Sequence, residues 1–334
     1  MISTEKTNRL NTIATPEGII AALAIDQRRS LRQMIAKAGG KSAEAISDEQ
    51  LSSFKGAVTA VLSQHTSAVL LDPEYGLEAA HRKAKGAGLL LAYESDGYEN
   101  PRPHRMLALL PGASVIQLRD KGADAIKILL SWTPEDDPRA NDQKRALVES
   151  IGNECEAAGM PFLLEPVVYD AAGSAPRSLE FAKRKPDLVV RTMEEFSKPA
   201  YKVDILKVEY PVIAAFVEGS PVYKGEKAQS HKEALDWFRT ADSAAGLPYI
   251  YLSAGAGIAE FLASLELAAE AGAAFSGVLC GRAMWQDGIP QYAQAGEPAL
   301  NEWLETEGVS NAQRISACLK AATPWHKRAQ GAGE

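Results

Sequence analysis

The stretch Asp204-Ile-Leu-Lys207-Val-Glu209-Tyr-Pro-Val212 sets a lysine in the middle of a nearly continuous apolar run. Such a run is the pattern of a strand buried on both faces. An ammonium withdrawn from water either finds an anion or gives up its proton, and the neutral amine is a nucleophile toward carbonyls. Glu209, two residues on and on the same strand face, is one candidate partner. Three more polar residues fall inside or at the end of apolar runs: Asp26 in Gly18–Asp26, Lys127 in Ala123–Trp132 and Glu165 in Met160–Tyr169. Two lysines projecting from nearby strands each disfavour protonation of the other, a route to a Schiff-base amine. Glu165, on the strand between them, could accept and return protons as a carbinolamine forms and collapses. The same residues also allow a plainer reading, two internal ion pairs Lys127–Asp26 and Lys207–Glu165.

Two later runs, Tyr251-Leu-Ser253-Ala-Gly255-Ala-Gly257 and Gly277-Val-Leu-Cys280-Gly281-Arg282, end in small residues before a helix start. Free backbone N–H groups and a helix dipole receive a phosphate at such places, and Arg282 would add a charge-assisted contact. Ser253, Gly255, Gly281 and Arg282 are therefore candidates for one phosphate. Gln27, Arg28 and Arg29, after the first run, are candidates for a second phosphate or a solvated helix start. The five histidines lie away from the strand ends, and no H-x-H or H-E-x-x-H pattern occurs. No histidine-liganded metal is expected. A magnesium ion held by Asp26, Asp72 and Glu94 stays open on residue types alone.

The elements that must position these groups are eight strand-like runs: the three above, Val203–Val212, Ala68–Pro73, Gly88–Glu94, Pro248–Gly255 and Phe275–Arg282. Between them lie helical signals: the capping-box pattern Ser47-Asp-Glu-Gln50 opening a run to Gln64, then Asn141–Ala158, Gln229–Ala241 and Gly257–Glu270. Strand alternating with helix predicts right-handed crossovers and a parallel sheet, and eight units in this length predict a (β/α)8 TIM barrel. A doubly wound open sheet is the runner-up, weakened because Asp26-Gln-Arg-Arg-Ser-Leu31 has no glycine for a dinucleotide fingerprint. In such a barrel the C-terminal strand ends carry the chemistry, which is where the polar residues fall. Residues 1–334 read as a single barrel domain with 1–15 and 326–334 peripheral or frayed, and the segment Asp170–Pro199 as a helix with irregular structure on one rim.

Composition agrees. Of 334 residues, 46% are hydrophobic and 24% charged, which describes a globular chain able to bury a large core. Thirty-six Lys and Arg against 43 Asp and Glu give −7, a balance that argues against nucleic acid or anionic membrane as a partner. Cys155, Cys280 and Cys318 are odd in number and widely spaced, so they read as reduced and buried. A polar start, with no run long enough to span a bilayer, points to the cytoplasm.

The segments Leu71-Asp-Pro-Glu-Tyr-Gly76, Leu91-Ala-Tyr-Glu94, Leu206-Lys-Val-Glu209, Pro248-Tyr-Ile-Tyr-Leu-Ser-Ala-Gly255 and Phe275-Ser-Gly-Val-Leu-Cys-Gly-Arg282 resemble the class I tagatose 1,6-diphosphate aldolase family. The likeness runs from about Gly18 to Trp325. It implies a metal-free, cofactor-free barrel that cleaves a ketohexose bisphosphate to dihydroxyacetone phosphate and glyceraldehyde 3-phosphate. By motif, Lys207 matches the Schiff-base lysine, Glu165 the acid/base, and Asp26 and Lys127 the accompanying polar groups. Ser253, Gly255, Gly281 and Arg282 match the site for the phosphate next to the carbonyl. A small sugar phosphate is the expected partner, and a homo-oligomer is compatible with the family. Arg28-Arg29 is more basic than the Arg-Gly or Arg-Ala expected there, and the sequence at Glu165-Pro166 and over Asp170–Pro199 departs from the pattern. A sulfofructose-phosphate aldolase of the same superfamily is thus the close alternative. A sugar-phosphate sensor on the same barrel is the alternative from another class, disfavoured because Lys207, Glu165, Lys127 and Asp26 are all retained.

Overall fold

The computed structural model of the chain describes residues 2–95 and 103–331. Eight strands are formed, β1 (Ile20–Ala24), β2 (Ala68–Leu71), β3 (Gly88–Ala92), β4 (Ala125–Trp132), β5 (Phe162–Val168), β6 (Ile205–Val208), β7 (Tyr249–Leu252) and β8 (Gly277–Cys280). They pair in sequence order, all parallel, and β1 also pairs with β8, so the sheet closes into a barrel rather than an open sheet. This is the (β/α)8 barrel that the strand–helix alternation predicts.

Strand parity decides what enters the barrel. Ala125 of β4, Leu163 of β5 and Ile205 of β6 belong to the inner apolar cluster, whereas Ile126, Leu164 and Leu206 pack outward against the helices. Side chains two residues further along a strand return to the same face, so Lys127, Glu165 and Lys207 also point inward, nearer the C-terminal ends. A one-residue register slip would turn all three outward.

The helices are α1 (Thr4–Thr12), α2 (Arg29–Ala38), α3 (Asp48–Leu62), α4 (Leu77–Ala80), α5 (Val115–Asp120), α6 (Pro138–Ala157), α7 (Leu179–Phe196), α8 (His231–Ala244), α9 (Ile258–Glu270), α10 (Arg282–Trp285), α11 (Ile289–Trp303), α12 (Val309–Cys318) and α13 (Trp325–Gly331). The predicted capping box at α3 is present: Ser47 accepts from the Gln50 N–H, and Gln50 accepts from the Ser47 N–H. Within the Asp170–Pro199 excursion, α7 runs for 18 residues despite Pro186. Proline removes the N–H that would bond Ala182, and the freed Ala182 carbonyl instead accepts from Gln229 Nε2 at 2.9 Å. No helix among the described residues is long and apolar enough to cross a membrane.

The chain ends, expected to be peripheral or frayed, are peripheral and docked rather than frayed over the described residues. On α1 and just past it, Leu10 and Ile13 are fully buried within the barrel's inner apolar cluster, together with Trp325 at the start of α13. Lys6 Nζ is 3.0 Å from Asp204 Oδ2, just ahead of β6, and Arg328 donates to the carbonyls of Asp242, Ala245 and Leu247. Both ends therefore cover the N-terminal floor of the barrel, and apolar residues spaced too sparsely to stand out in a polar stretch account for the difference. Residues 332–334 lie outside the described residues.

Candidate active site

A cavity of about 370 Å³ opens at the C-terminal ends of the strands and is lined by Asp26, Lys127, Glu165, Lys207, Ser253 and Arg282 among others. Lys207 is 3% exposed, and its Nζ lies 2.9 Å from Glu165 Oε1. Glu209 is not its partner: that carboxylate accepts from the Val168 N–H at 2.8 Å and pairs with Lys185 of α7 at 3.0 Å.

Lys127 is more heavily surrounded. Its Nζ is 2.8 Å from Asp26 Oδ2, 2.7 Å from Glu94 Oε1 and 2.7 Å from Glu165 Oε2. Burial favours the neutral amine, but Asp26, Glu165 and Glu94 outweigh it and hold Lys127 well above the usual lysine range. The expectation that a neighbouring cation would free Lys127 of its proton is therefore overturned for this lysine. Burial likewise opposes ionisation of Asp26, yet Lys127 and Lys207 together hold its carboxyl below the ordinary range. Burial raises Glu94, and Lys127 offsets this only in part. The two ion pairs expected from the sequence both form, and Glu165 joins them, one oxygen toward each lysine.

At the end of β7, Ala254 and Gly255 are consecutive left-handed residues, with φ of 47° and 74°. A side chain at Gly255 would be strained at this φ and would press on the Arg282 guanidinium, whose Cζ would lie 2.9 Å from an added Cβ. The strained alanine beside it marks a turn held by its surroundings. Gly257 then caps α9 with no side-chain hydrogen bond, so the first N–H groups of that helix have no capping side chain. Gly281 opens α10 and sits close to β1: a Cβ there would be 3.0 Å from the Ala24 carbonyl and 3.4 Å from Gln27 Nε2. Gln27, Gly281 and Arg282 thus line the cavity near one another, with Gly255 against Arg282; Gln27 lies by this group rather than apart from it.

The other phosphate candidates divide. Arg28 lines the cavity but is buried, donating to the Glu94 carbonyl at 2.7 Å and pairing with Glu74. Arg29 is exposed at the start of α2 and does not line the cavity, which is the solvated helix start of the two readings open for it. The Asp26, Asp72 and Glu94 set does not assemble: Asp72 lies against Lys55 instead, and no group of three His, Cys, Asp or Glu suited to a metal occurs among the described residues.

Arg105, Arg177 and Lys185 line the cavity without having been singled out from the sequence. Lys185 lies mid-helix, and the two arginines come from irregular segments, so no strand-end position marks them. Glu94 was visible as a strand-end carboxylate, but its role as a third counter-ion of Lys127 depends on β3 lying beside β4.

A family model described as DeoC/LacD family aldolase matches residues 20–287, from the first residue of β1 to just past α10. The chain belongs to this aldolase family. Relatives named tagatose 1,6-diphosphate aldolase include one from Enterococcus faecalis, 46% identical over 96% of either chain. Another from Staphylococcus aureus is 43% identical over 98% of this chain and 99% of its own, and one from Listeria monocytogenes 41% identical over 97% and 94%. The aldolase is thus an enzyme of the lyase class, and the matched segment contains every strand of the barrel and every lysine and carboxylate of the cluster.

Proposed function

We propose that this aldolase cleaves tagatose 1,6-bisphosphate to dihydroxyacetone phosphate and glyceraldehyde 3-phosphate through an imine on Lys207, as a cytoplasmic enzyme. The observation that carries the proposal is the Lys207–Glu165 contact of 2.9 Å between buried side chains that line the cavity. Relatives bearing that substrate's name support the choice of sugar.

Lys207, with its proton passed to Glu165, attacks the ketose carbonyl at C2. Glu165 returns a proton to the carbinolamine oxygen, which leaves as water, and the imine forms. Glu165, again a carboxylate, takes the C4 hydroxyl proton as the C3–C4 bond breaks and the aldehyde half leaves; the electron pair moves into the protonated imine to give an enamine, and Glu165 holds the proton that C3 then takes up. Protonation at C3 and addition of water then free dihydroxyacetone phosphate and restore Lys207. Lys127 remains an ammonium throughout and holds Glu165 and Asp26 in place. Its charge also favours negative charge developing on substrate oxygens nearby. Arg282, Ser253 and the N–H groups around Gly255 and Gly281 hold the phosphate next to the carbonyl, with Gln27 and Arg28 beside them.

No metal or other cofactor enters this scheme. Cleavage of tagatose 1,6-bisphosphate is expected to survive EDTA and to exceed cleavage of fructose 1,6-bisphosphate and of a sulfofructose phosphate assayed beside it. Loss with EDTA and recovery with zinc would contradict the scheme, and a preference for the sulfonated sugar would move the substrate to the related branch.

Arg282→Ala is expected to lower kcat/KM for the bisphosphate by roughly one to two orders of magnitude, since a hydrogen bond to a charged group contributes about 1.5–3 kcal/mol. A substrate lacking the phosphate beside the carbonyl should lose much less. Equal losses for both would make Arg282 a support of the fold.

A further inference from the structure

Lys55 lies in α3, outside the barrel wall and fully buried. Its Nζ donates to the carbonyls of Ile25 and Gln27, each at 2.7 Å, and to Asp72 Oδ2 at 2.5 Å. Three donors meet three acceptors, so the ammonium is saturated. The two carbonyls flank Asp26. The ladder between β1 and β2 ends just before it, at the bond from the Ile25 N–H to the Leu70 carbonyl, so sheet pairing does not set the backbone there. Asp72 is itself fixed, its Oδ1 accepting from the N–H groups of Glu74 and Tyr75 at 3.0 and 2.8 Å.

A buried ion pair is a poor way to stabilise a helix that already packs through Leu51, Phe54, Val58 and Leu62, because desolvating the charges costs as much as their attraction returns. What the ammonium supplies, and an apolar side chain would not, is a grip on the backbone at both sides of a single carboxylate. We infer that Lys55 is a positioning residue: it holds the turn after β1 so that Asp26 meets Lys127 at 2.8 Å and keeps that ammonium against Glu165. This rests on the reading of Asp26 and Lys127 as working parts of the site. The charge of Lys55 also helps to keep Asp26 ionised. Lys55 does not line the cavity and touches no substrate.

Lys55→Met alone would leave Asp72 charged and unpaired, so the test uses Lys55→Met with Asp72→Asn, against Asp72→Asn alone. Relative to Asp72→Asn, the double variant is expected to melt within a few degrees and to lose roughly 10- to 100-fold in kcat, the scale of a small misplacement of a reacting group, with KM changed little. Asp26→Asn should cost the double variant clearly less than it costs Asp72→Asn, leaving the triple variant near the kcat of Asp26→Asn combined with Asp72→Asn alone, because both changes act through one carboxylate. A double variant with the kcat of Asp72→Asn, one that does not fold, or losses that multiply with Asp26→Asn would each overturn the inference. Should Asp26→Asn by itself keep the wild-type kcat, the fault would lie in the reading of Asp26, and the inference would fall with it.

Discussion

Lys207→Met is expected to bring cleavage of the bisphosphate down to background while the protein stays folded. The change removes the only amine in the cluster that has a single carboxylate beside it; Lys127 faces three. An amine held well above its usual pKa by three anions is a poor substitute nucleophile, so Lys127 cannot take over. The fold should tolerate the change, because methionine fills a similar slot and Glu165 keeps Lys127 as its counter-ion. Release of triose phosphate, followed beside a thermal melt, measures both. Turnover within tenfold of the wild type would move the nucleophile elsewhere.

The second large effect is expected at Glu165, which is buried between the two ammonium groups with one oxygen toward each. Glu165→Gln keeps the shape but cannot take a proton from Lys207 or give one to a departing hydroxyl. Loss of a general acid–base group lowers rates by about 10²–10⁴-fold, and kcat is expected to fall by roughly 10²-fold or more. The residues proposed to hold the phosphate follow β7 and β8 rather than β5, so KM should move little. A wild-type kcat would place the proton shuttle on another residue, with Asp26 the next to examine.

The barrel and most of the site were legible because buried parallel strands leave short apolar runs, and a charge inside such a run has few innocent explanations. Lys127, Glu165 and Lys207 stood out for that reason, and strand parity then brings all three to the inner face. Residues whose role depends on contacts between different elements were not legible in the same way. Glu94 reaches Lys127 only because β3 lies beside β4. Lys185 approaches Glu209 from the middle of a helix, and Lys55 grips the turn after β1 from outside the barrel. For Arg29, which follows a strand end, the sequence left a phosphate ligand and a solvated helix start both open, and it is exposed at the start of α2. The docking of the terminal helices was not legible because it rests on a few apolar residues, Leu10, Ile13 and Trp325.

The account turns on which lysine becomes covalent. Borohydride reduces an imine to a stable amine, so treating the aldolase with borohydride in the presence of tagatose 1,6-bisphosphate should fix the sugar, or the triose left after cleavage, to one side chain. A peptide map is predicted to carry that mass on the segment containing Lys207, with Lys127 unlabelled. A label on Lys127, or full inactivation without any label, would contradict the mechanism.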